Sequence, residues 1–312
     1  GKIAVPEMVR NRYNPELACG VVAAAGTIGA LIPPSILMIL YGIISRQSIS
    51  QLFLGGLVVG LITLFAYVFV IYARVKLNPD LAPPVELKAT WSQQIAALGQ
   101  TWPILLIVTG VFSGLFGGFF TATEAGALGA MLSIMVATIY RTLTFKALRM
   151  AAIETVTTTA ALLIIAIGAS LLTRFLALSG IGDLISSTIL SFGASPLMIM
   201  VGIVVTYLLL GMMLEPVGAM LLTLPIMLPL VEESGYSLLW FGIVMIKLLE
   251  IGMITPPIGM NVFVIKGVVG NIATLSMIFR GVFWFVLIDL GIVALLIFYP
   301  SIVLFLPDIV AG

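Results

Sequence analysis

Two short stretches of this chain combine glycine with paired prolines, and the second repeats the first. They read Gly26-Thr-Ile-Gly-Ala-Leu-Ile-Pro-Pro-Ser35 and Glu250-Ile-Gly-Met-Ile-Thr-Pro-Pro-Ile-Gly-Met-Asn261. A proline removes a backbone donor and clashes with the preceding helical turn, so a proline pair beside glycine opens a helix. The opened backbone then exposes carbonyl and amide groups that protein, water or a ligand must satisfy. The chemistry these stretches offer is ligand binding by main-chain groups.

The similarity extends beyond the two stretches and keeps its order along the chain. At one constant offset, Pro6, Tyr13, Ile28, Gly29, Pro33 and Pro34 match Pro229, Tyr236, Ile251, Gly252, Pro256 and Pro257. After the prolines the register slips, and the segment Ser48 to Gly55 then aligns with Thr274 to Gly281. Several ordered identities indicate an internal duplication.

Composition places the chain in a membrane. Its 312 residues are 61% hydrophobic and 9% charged, and the mean hydropathy is +1.26, values typical of a polytopic membrane protein. The single cysteine, Cys19, cannot form an intrachain disulfide. Because the chain has 0 histidines, it has no catalytic Ser-His or Cys-His pair. No enzymatic activity, organic cofactor or nucleic-acid partner is expected.

Each proline pair lies inside an apolar run long enough to cross a bilayer. Open backbone at that depth is tolerated only where protein, water or a ligand satisfies it. A matched pair of broken helices, one in each half of the chain, is typical of the binding site of a secondary transporter. The alternative is a pair of proline kinks that only help helices to pack.

The elements that must position these breaks follow from the apolar runs. We predict an all-α polytopic fold with three parts. Residues 1–76 are part of a first repeat, with a broken helix at 17–44 and a span at 52–72, and residues 77–180 are a connecting loop and scaffold helices. Residues 181–312 are a second repeat with an interfacial helix, a re-entrant hairpin at 196–232, a broken helix at 240–268 and a last span at 282–306. Trp102, Trp240 and Trp284 lie near predicted span ends, as interfacial anchors do. Thr121 and Glu124 have the spacing of a capping box, and Gly56-x-x-x-Gly60 suits helix packing.

Glu215 stands at the predicted tip of the hairpin, in Leu214-Glu-Pro-Val-Gly218. A carboxylate at membrane depth is costly unless it is paired or binds a cation, so Glu215 is a candidate site residue. The alternative is an exposed turn at the far interface.

The basic residues indicate how the chain is oriented. If the hairpin returns to its own side, all but Arg46, Arg174 and Lys247 of the 14 basic residues fall on the side of the N-terminal residues. That side is then cytoplasmic, and the C-terminus is periplasmic. The first broken helix runs outward and the second inward, so the repeat is inverted, as in alternating-access carriers. A hairpin equivalent to 196–228 would precede Pro6, so we expect the first hairpin to lie outside this sequence.

Four motifs resemble the large membrane subunit of TRAP transporters, the tripartite ATP-independent periplasmic carriers of the ion-transporter superfamily. They are Val5-Pro-Glu-Met8, Gly26-Thr-Ile-Gly-x-x-Ile-Pro-Pro-Ser35, Phe120-Thr-Ala-Thr-Glu-Ala125 and Glu250-Ile-Gly-x-Ile-Thr-Pro-Pro-x-Gly-x-Asn261. The resemblance covers essentially the whole chain. It departs from the family at Glu215, where Asp is usual, and at Ala122, where Pro is usual.

The resemblance implies an elevator-type fold and sodium-driven uptake of an organic acid, such as a C4-dicarboxylate or sialic acid, across a bacterial or archaeal inner membrane. A periplasmic solute-binding protein would deliver the acid, and a small membrane subunit would accompany the chain in the lipid bilayer. The implied Na⁺ ligands are Gly26, Gly29 and Ile32 in one site and Glu215, Gly252, Ile254 and Thr255 in another. Oxygen ligands of this kind suit a hard cation. Ser35 and Asn261 are candidate substrate ligands or, alternatively, helix caps.

Three other functions compete with this one. Gly180-Ile-Gly-Asp183 matches a motif of intramembrane aspartyl proteases, but the second aspartate would have to be Asp289, which lacks the Tyr-Asp context. A channel built from paired re-entrant segments should carry similar signatures at both tips. A sodium-coupled carboxylate symporter that works without a binding protein is the nearest alternative.

Overall fold

The computed structural model describes residues 1–82, 91, 99, 101–180, 184, 188 and 195–311, and these contain helices and turns but no strand. The α-helices, numbered here in chain order, are α1 (Ala4–Arg10), α2 (Pro15–Leu31), α3 (Ile36–Ser45), α4 (Ile49–Leu77), α5 (Trp102–Phe116), α6 (Ala122–Ile139), α7 (Phe145–Ser179), α8 (Pro196–Met213), α9 (Pro216–Glu233), α10 (Leu238–Ile254), α11 (Met260–Val269), α12 (Leu275–Phe298) and α13 (Ser301–Ala311). Short 3₁₀ turns follow α4 at Pro79–Leu81 and α11 at Gly270–Ile272.

The prediction of an all-α polytopic membrane protein is confirmed. Among the described residues, 6 helical segments are long and apolar enough to cross a membrane, namely Pro15–Ser45, Ile49–Leu77, Phe145–Leu172, Pro196–Met213, Pro216–Glu233 and Leu275–Phe298. The chain divides into two compact units, residues 1–84 with 167–312 and residues 85–166. The first unit contains both proline pairs and the segment around Glu215.

Both proline pairs break a helix, and the two broken helices have matching dimensions. The halves before the breaks, α2 and α10, have 17 residues each, and the halves after them, α3 and α11, have 10 residues each. The peptide bonds Pro33–Pro34 and Pro256–Pro257 are both cis. A side chain caps the start of each first half, because Asn14 accepts a hydrogen bond from the Glu16 N–H and Ser237 accepts one from the Trp240 N–H. Equal lengths on both sides of the break agree with the duplication inferred from the sequence.

Helix α10 is the core of the first unit. Every residue from Leu239 to Ile254 except Met253 is buried. It packs against α2, α3 and α4 of the first half and against α8, α9, α11, α12 and α13 of the second. This explains why, apart from Lys247 and Glu250, its sequence is apolar on every face instead of following an amphipathic stripe.

Helices α8 and α9 form a hairpin joined by Leu214 and Glu215. The Tyr207 hydroxyl and Thr223 Oγ1, which lie at equal distances from the turn along the two arms, are hydrogen-bonded at 2.7 Å. This bond holds the arms side by side, and Pro225 and Pro229 lie within α9 without ending it.

The second unit contains a hairpin of α5 and α6. The predicted capping box is confirmed, because Thr121 Oγ1 accepts a hydrogen bond from the Glu124 N–H while the Glu124 carboxylate accepts one from the Thr121 N–H. At the other end, the rings of Trp102 and Tyr140 stack with centroids 6.2 Å apart. The two helices also meet where Gly110 leaves space for Leu132.

Three sequence expectations have other outcomes. Trp240 is fully buried and its Nε1 donates to the Leu296 carbonyl at 2.9 Å, so the prediction of an interfacial anchor is wrong there. The last span does not run continuously to residue 306, because α12 ends at Phe298 and α13 begins at Ser301, after Pro300. The predicted interfacial helix at 181–192 lies almost wholly outside the described residues.

Candidate functional site

At the first break the two prolines remove backbone N–H donors, which leaves two carbonyls of α2 without their helical partners, as the repeated motif predicts. The N–H of residue i+4 normally bonds the carbonyl of residue i in a helix, and Pro33 and Pro34 have no N–H to offer to Gly29 and Ala30. Helix α2 ends with the Ile32 N–H donating to the Ile28 carbonyl at 3.0 Å. Gly29 is exposed, and a Cβ added there would meet no atom within 4 Å. The Gly29 carbonyl therefore lies at an accessible helix end.

The second break repeats this arrangement with one difference. Pro256 cannot donate to Gly252, whose carbonyl instead accepts the Thr255 N–H at 3.1 Å. The Thr255 hydroxyl donates to the Ile251 carbonyl at 2.6 Å. Ile254 is fully buried, so its apolar side chain packs inward while its main chain ends the helix. Gly259 precedes the second half-helix as its N-cap and has a φ of +60°, a conformation that favours glycine.

Asn261 joins the two broken helices. Its Nδ2 donates to the Ala23 carbonyl on α2 at 3.3 Å, and a Cβ built on Gly26 would lie 3.3 Å from the same atom. The start of α11 therefore lies against α2, about two to three turns before Pro33. Asn261, a predicted substrate ligand, and Gly26, a predicted cation ligand, are direct neighbours.

Ser35 caps a helix. Its Oγ accepts a hydrogen bond from the Met38 N–H at the start of α3, and only 2% of the residue is exposed. The sequence leaves two roles open for Ser35 and Asn261, substrate ligand or helix cap. Ser35 has the geometry of a cap, whereas Asn261 lies inside α11 and does not cap that helix.

The hairpin approaches the second break at a pair of glycines. A Cβ added to Gly252 would lie 2.3 Å from the Gly211 carbonyl carbon, so the backbones of α8 and α10 touch there. Glu215 follows Gly211 by about one helical turn. Its side chain caps α9, with one carboxylate oxygen accepting the Gly218 N–H at 2.9 Å, and the residue is exposed. The hairpin tip and the second break thus lie at the same end of the α8–α10 contact.

One group of charged residues beside the second break was not recognised as a unit from the sequence. Lys247 Nζ lies 2.7 Å from Asp289 Oδ1 and 3.9 Å from Glu250 Oε2, and the Tyr67 hydroxyl donates to Asp289 Oδ2 at 2.6 Å. The three charged residues are fully buried. The signal that could have found the group is the presence of ionisable residues in apolar runs, which are functional candidates by default. The group is called the Lys247 cluster below.

The protease alternative has no support in this arrangement. Asp183 lies outside the described residues, and Asp289 is held by Lys247 and Tyr67.

Comparison with known proteins places the sequence in one family. A family model described as "Tripartite ATP-independent periplasmic transporter, DctM component" matches residues 1–302. The chain is 34% identical over 311 residues to the C4-dicarboxylate TRAP transporter large permease protein DctM of Pseudomonas aeruginosa, covering 99% of this chain and 71% of that protein. It is 30% identical to the sialic acid TRAP transporter large permease protein SiaM of Vibrio cholerae, over 100% of this chain and 72% of that protein. It is also 30% identical to the 2,3-diketo-L-gulonate TRAP transporter large permease protein YiaN of Escherichia coli, over 97% of this chain and 70% of that protein.

Proposed function

Because this chain belongs to the DctM component family of tripartite ATP-independent periplasmic transporters, we propose that it couples the sodium gradient to the uptake of an organic acid. The chain is a multi-pass membrane protein of a transporter family and not an enzyme, since the relatives named above are all transporter permeases. The sodium coupling and the acid are the proposal. One observation carries it: two broken helices meet at Asn261, and a hairpin closes on the second break at Gly252.

Two clusters of oxygen ligands are proposed for sodium. The first uses carbonyls of Gly26, Gly29 and Ile32 at the first break. The second uses carbonyls at Gly252, Ile254 and Thr255, with the carboxylate of Glu215 from the hairpin tip. Proline removes helix donors at both places, which leaves carbonyl dipoles for a hard cation.

The substrate proposed is a carboxylate. The relatives are named for C4-dicarboxylate, sialic acid and 2,3-diketo-L-gulonate, all of which are organic acids. Helices α3 and α11 begin at the breaks, and the positive end of a helix dipole favours a negative group. Asn261 stands at the start of α11, and its Nδ2 has a second N–H, beside the one bonded to the Ala23 carbonyl, that can donate to a carboxylate. Ser35 stands at the start of α3.

The proposed partners and movement complete the cycle. A periplasmic solute-binding protein delivers the acid, and a small membrane subunit joins the permease in the inner membrane. The N-terminal residues of this chain lie in the cytoplasm. The helices around the two breaks move as one body, which carries the site from the periplasmic to the cytoplasmic side.

Uptake into proteoliposomes tests this proposal. The full-length permease is reconstituted with its small membrane subunit and solute-binding protein. Radiolabelled acids are supplied with an inward Na⁺ gradient or with choline in its place. We expect uptake only when both the gradient and the binding protein are present. Uptake that needs Na⁺ but not the binding protein would favour the simpler symporter, and uptake that needs neither would contradict the proposal.

A further inference from the structure

The Lys247 cluster contains one more negative charge than it can balance. Asp289 Oδ1 forms an ion pair with the Lys247 ammonium at 2.7 Å, and Asp289 Oδ2 accepts a hydrogen bond from the Tyr67 hydroxyl at 2.6 Å. Glu250 lies 3.9 Å from the same ammonium, and within the described part of the chain neither of its carboxylate oxygens has a hydrogen-bond partner. One cation thus stands against two carboxylates.

Burial makes this imbalance costly. Lys247, Glu250 and Asp289 are each 0% exposed, so water does not screen the group. An unpaired carboxylate in the protein interior is strongly unfavourable unless a proton neutralises it or a positive charge approaches it. The Lys247 ammonium lies 2.7 Å from Asp289 and 3.9 Å from Glu250, so Glu250 is the less closely paired carboxylate of the Lys247 cluster.

The position of Glu250 identifies where that positive charge could come from. It lies in the last turns of α10, two residues before Gly252 and five before Thr255. At a rise of about 1.5 Å per residue, the carbonyls proposed for the second sodium lie roughly 3–8 Å along the helix axis from Glu250. The same helix end carries the negative pole of the helix dipole. The helix dipole therefore favours a cation at the second break, and Glu250 belongs to the same last turns of α10.

We propose that Glu250 supplies the counter-charge for the sodium ion bound at the second break, so that the Lys247 cluster and the ion together are electrically balanced. Glu250 acts from behind the carbonyl ligands as a positioning residue and raises the affinity for the cation through its charge. This inference rests on the sodium coupling proposed above, and it adds a residue to which neither the broken-helix motif nor the hairpin assigns a role.

The charge-removing variant Glu250→Gln tests it in the reconstituted transporter. We expect the Na⁺ concentration for half-maximal uptake to rise about tenfold, since opposite charges in neighbouring turns of one helix attract each other in a partly polar interior. The maximal rate at saturating Na⁺ should stay within about twofold of the unmodified protein, because the carbonyl ligands remain. Glu250→Asp retains the charge and should restore most of the affinity. A purely structural role would lower the maximal rate and leave the Na⁺ dependence in place.

Binding is measured separately from transport by the Na⁺-dependent rise in melting temperature, with choline chloride as the reference salt. We expect this rise in the unmodified protein and in the matched control Glu16→Gln, which removes a carboxylate paired with Arg74, and we expect it to shrink in Glu250→Gln. If the unmodified protein shows no rise, the sodium coupling itself is wrong. If the unmodified protein shows the rise and Glu250→Gln shows the same rise at the same Na⁺ concentration, the sodium site stands and only the proposed role of Glu250 is wrong.

A second variant covers the case in which Glu250→Gln does not fold. Asp289→Asn also reduces the cluster by one negative charge, because Lys247 is then balanced by Glu250. It should weaken Na⁺ binding in the same direction, and an unchanged Na⁺ affinity in Asp289→Asn would overturn the proposal.

Discussion

At the scale of single residues, the candidate site depends on positions where a side chain is absent. Gly252 and Gly211 let the backbones of α10 and α8 touch, and Gly26 leaves room for the Asn261 amide. The importance of Gly252 is visible in the sequence because it belongs to the repeated motif. That of Gly211 is not, because its partner lies far along the chain and only the folded structure brings the two together.

Gly252→Ala is predicted to push the hairpin away from the second break. The new Cβ would lie 2.3 Å from the Gly211 carbonyl carbon, with the Gly211 Cα and oxygen also too close, and backbone cannot move aside as a flexible side chain can. We expect a loss of about 1–3 kcal/mol of stability and a larger loss of uptake, measured by thermal melting and by proteoliposome transport. Gly267→Ala on α11, where a Cβ meets nothing within 4 Å, is the control and should melt no lower than the unmodified protein.

Asn261→Ala separates a substrate ligand from a packing residue. Loss of the bond to the Ala23 carbonyl alone should cost about 1 kcal/mol of stability. If Asn261 also binds the acid, KM should rise at least severalfold while the Na⁺ dependence stays unchanged. Ser35→Ala is the companion variant. Because Ser35 caps α3, we expect this variant to lower the melting temperature and to leave KM nearly unchanged.

At the scale of elements, the Lys247 cluster fastens three helices. Lys247 and Glu250 belong to α10, Asp289 to α12 and Tyr67 to α4, and the bond from Tyr67 to Asp289 joins residues 222 positions apart. Local patterns predict breaks, caps and turns, as the capping box at Thr121 demonstrates. They do not predict which of several buried charges will face each other, because that depends on how helices distant in sequence are packed. The sequence pattern does not predict the interruption at Tyr299–Pro300 because the apolar run continues through it.

Lys247→Met is predicted to be among the most destabilising single changes in α10. It leaves Asp289 and Glu250 buried without their cation, and removal of one partner of a buried ion pair costs about 3–5 kcal/mol. The double variant Lys247→Met/Asp289→Leu removes a balanced pair and should recover part of that loss. Thermal melting in detergent measures the stability of both variants. A double variant that is less stable than Lys247→Met alone would contradict the pairing of Lys247 with Asp289.

At the scale of the whole molecule, the inverted orientation of the two halves is a prediction that helix bounds alone do not test. Apolar length and the broken helices could be predicted from the sequence because they are local properties, whereas the sides of the membrane follow only from the distribution of Lys and Arg. A chemical measurement of sidedness tests this prediction.

Cysteine labelling in intact cells supplies it. The only native cysteine, Cys19, is buried, and Cys19→Ala gives a background without thiols. A cysteine at Arg46 is predicted to react with a membrane-impermeant maleimide added from outside, whereas one at Arg149 should react only after the cells are opened. Both residues are exposed, so access depends on the side of the membrane. Labelling of both cysteines from outside would refute the predicted orientation of the helices in the membrane.

The central position of α10 has a consequence for how the protein is made. Helices α2, α3 and α4 leave the ribosome long before α10, yet each packs against it. During synthesis these helices enter the membrane with the surface that α10 will later cover still vacant, and the first half cannot reach its final packing until residue 254 has been inserted. Biogenesis of the two halves is therefore not sequential, and a nascent chain halted between α9 and α10 should be a substrate for membrane proteases.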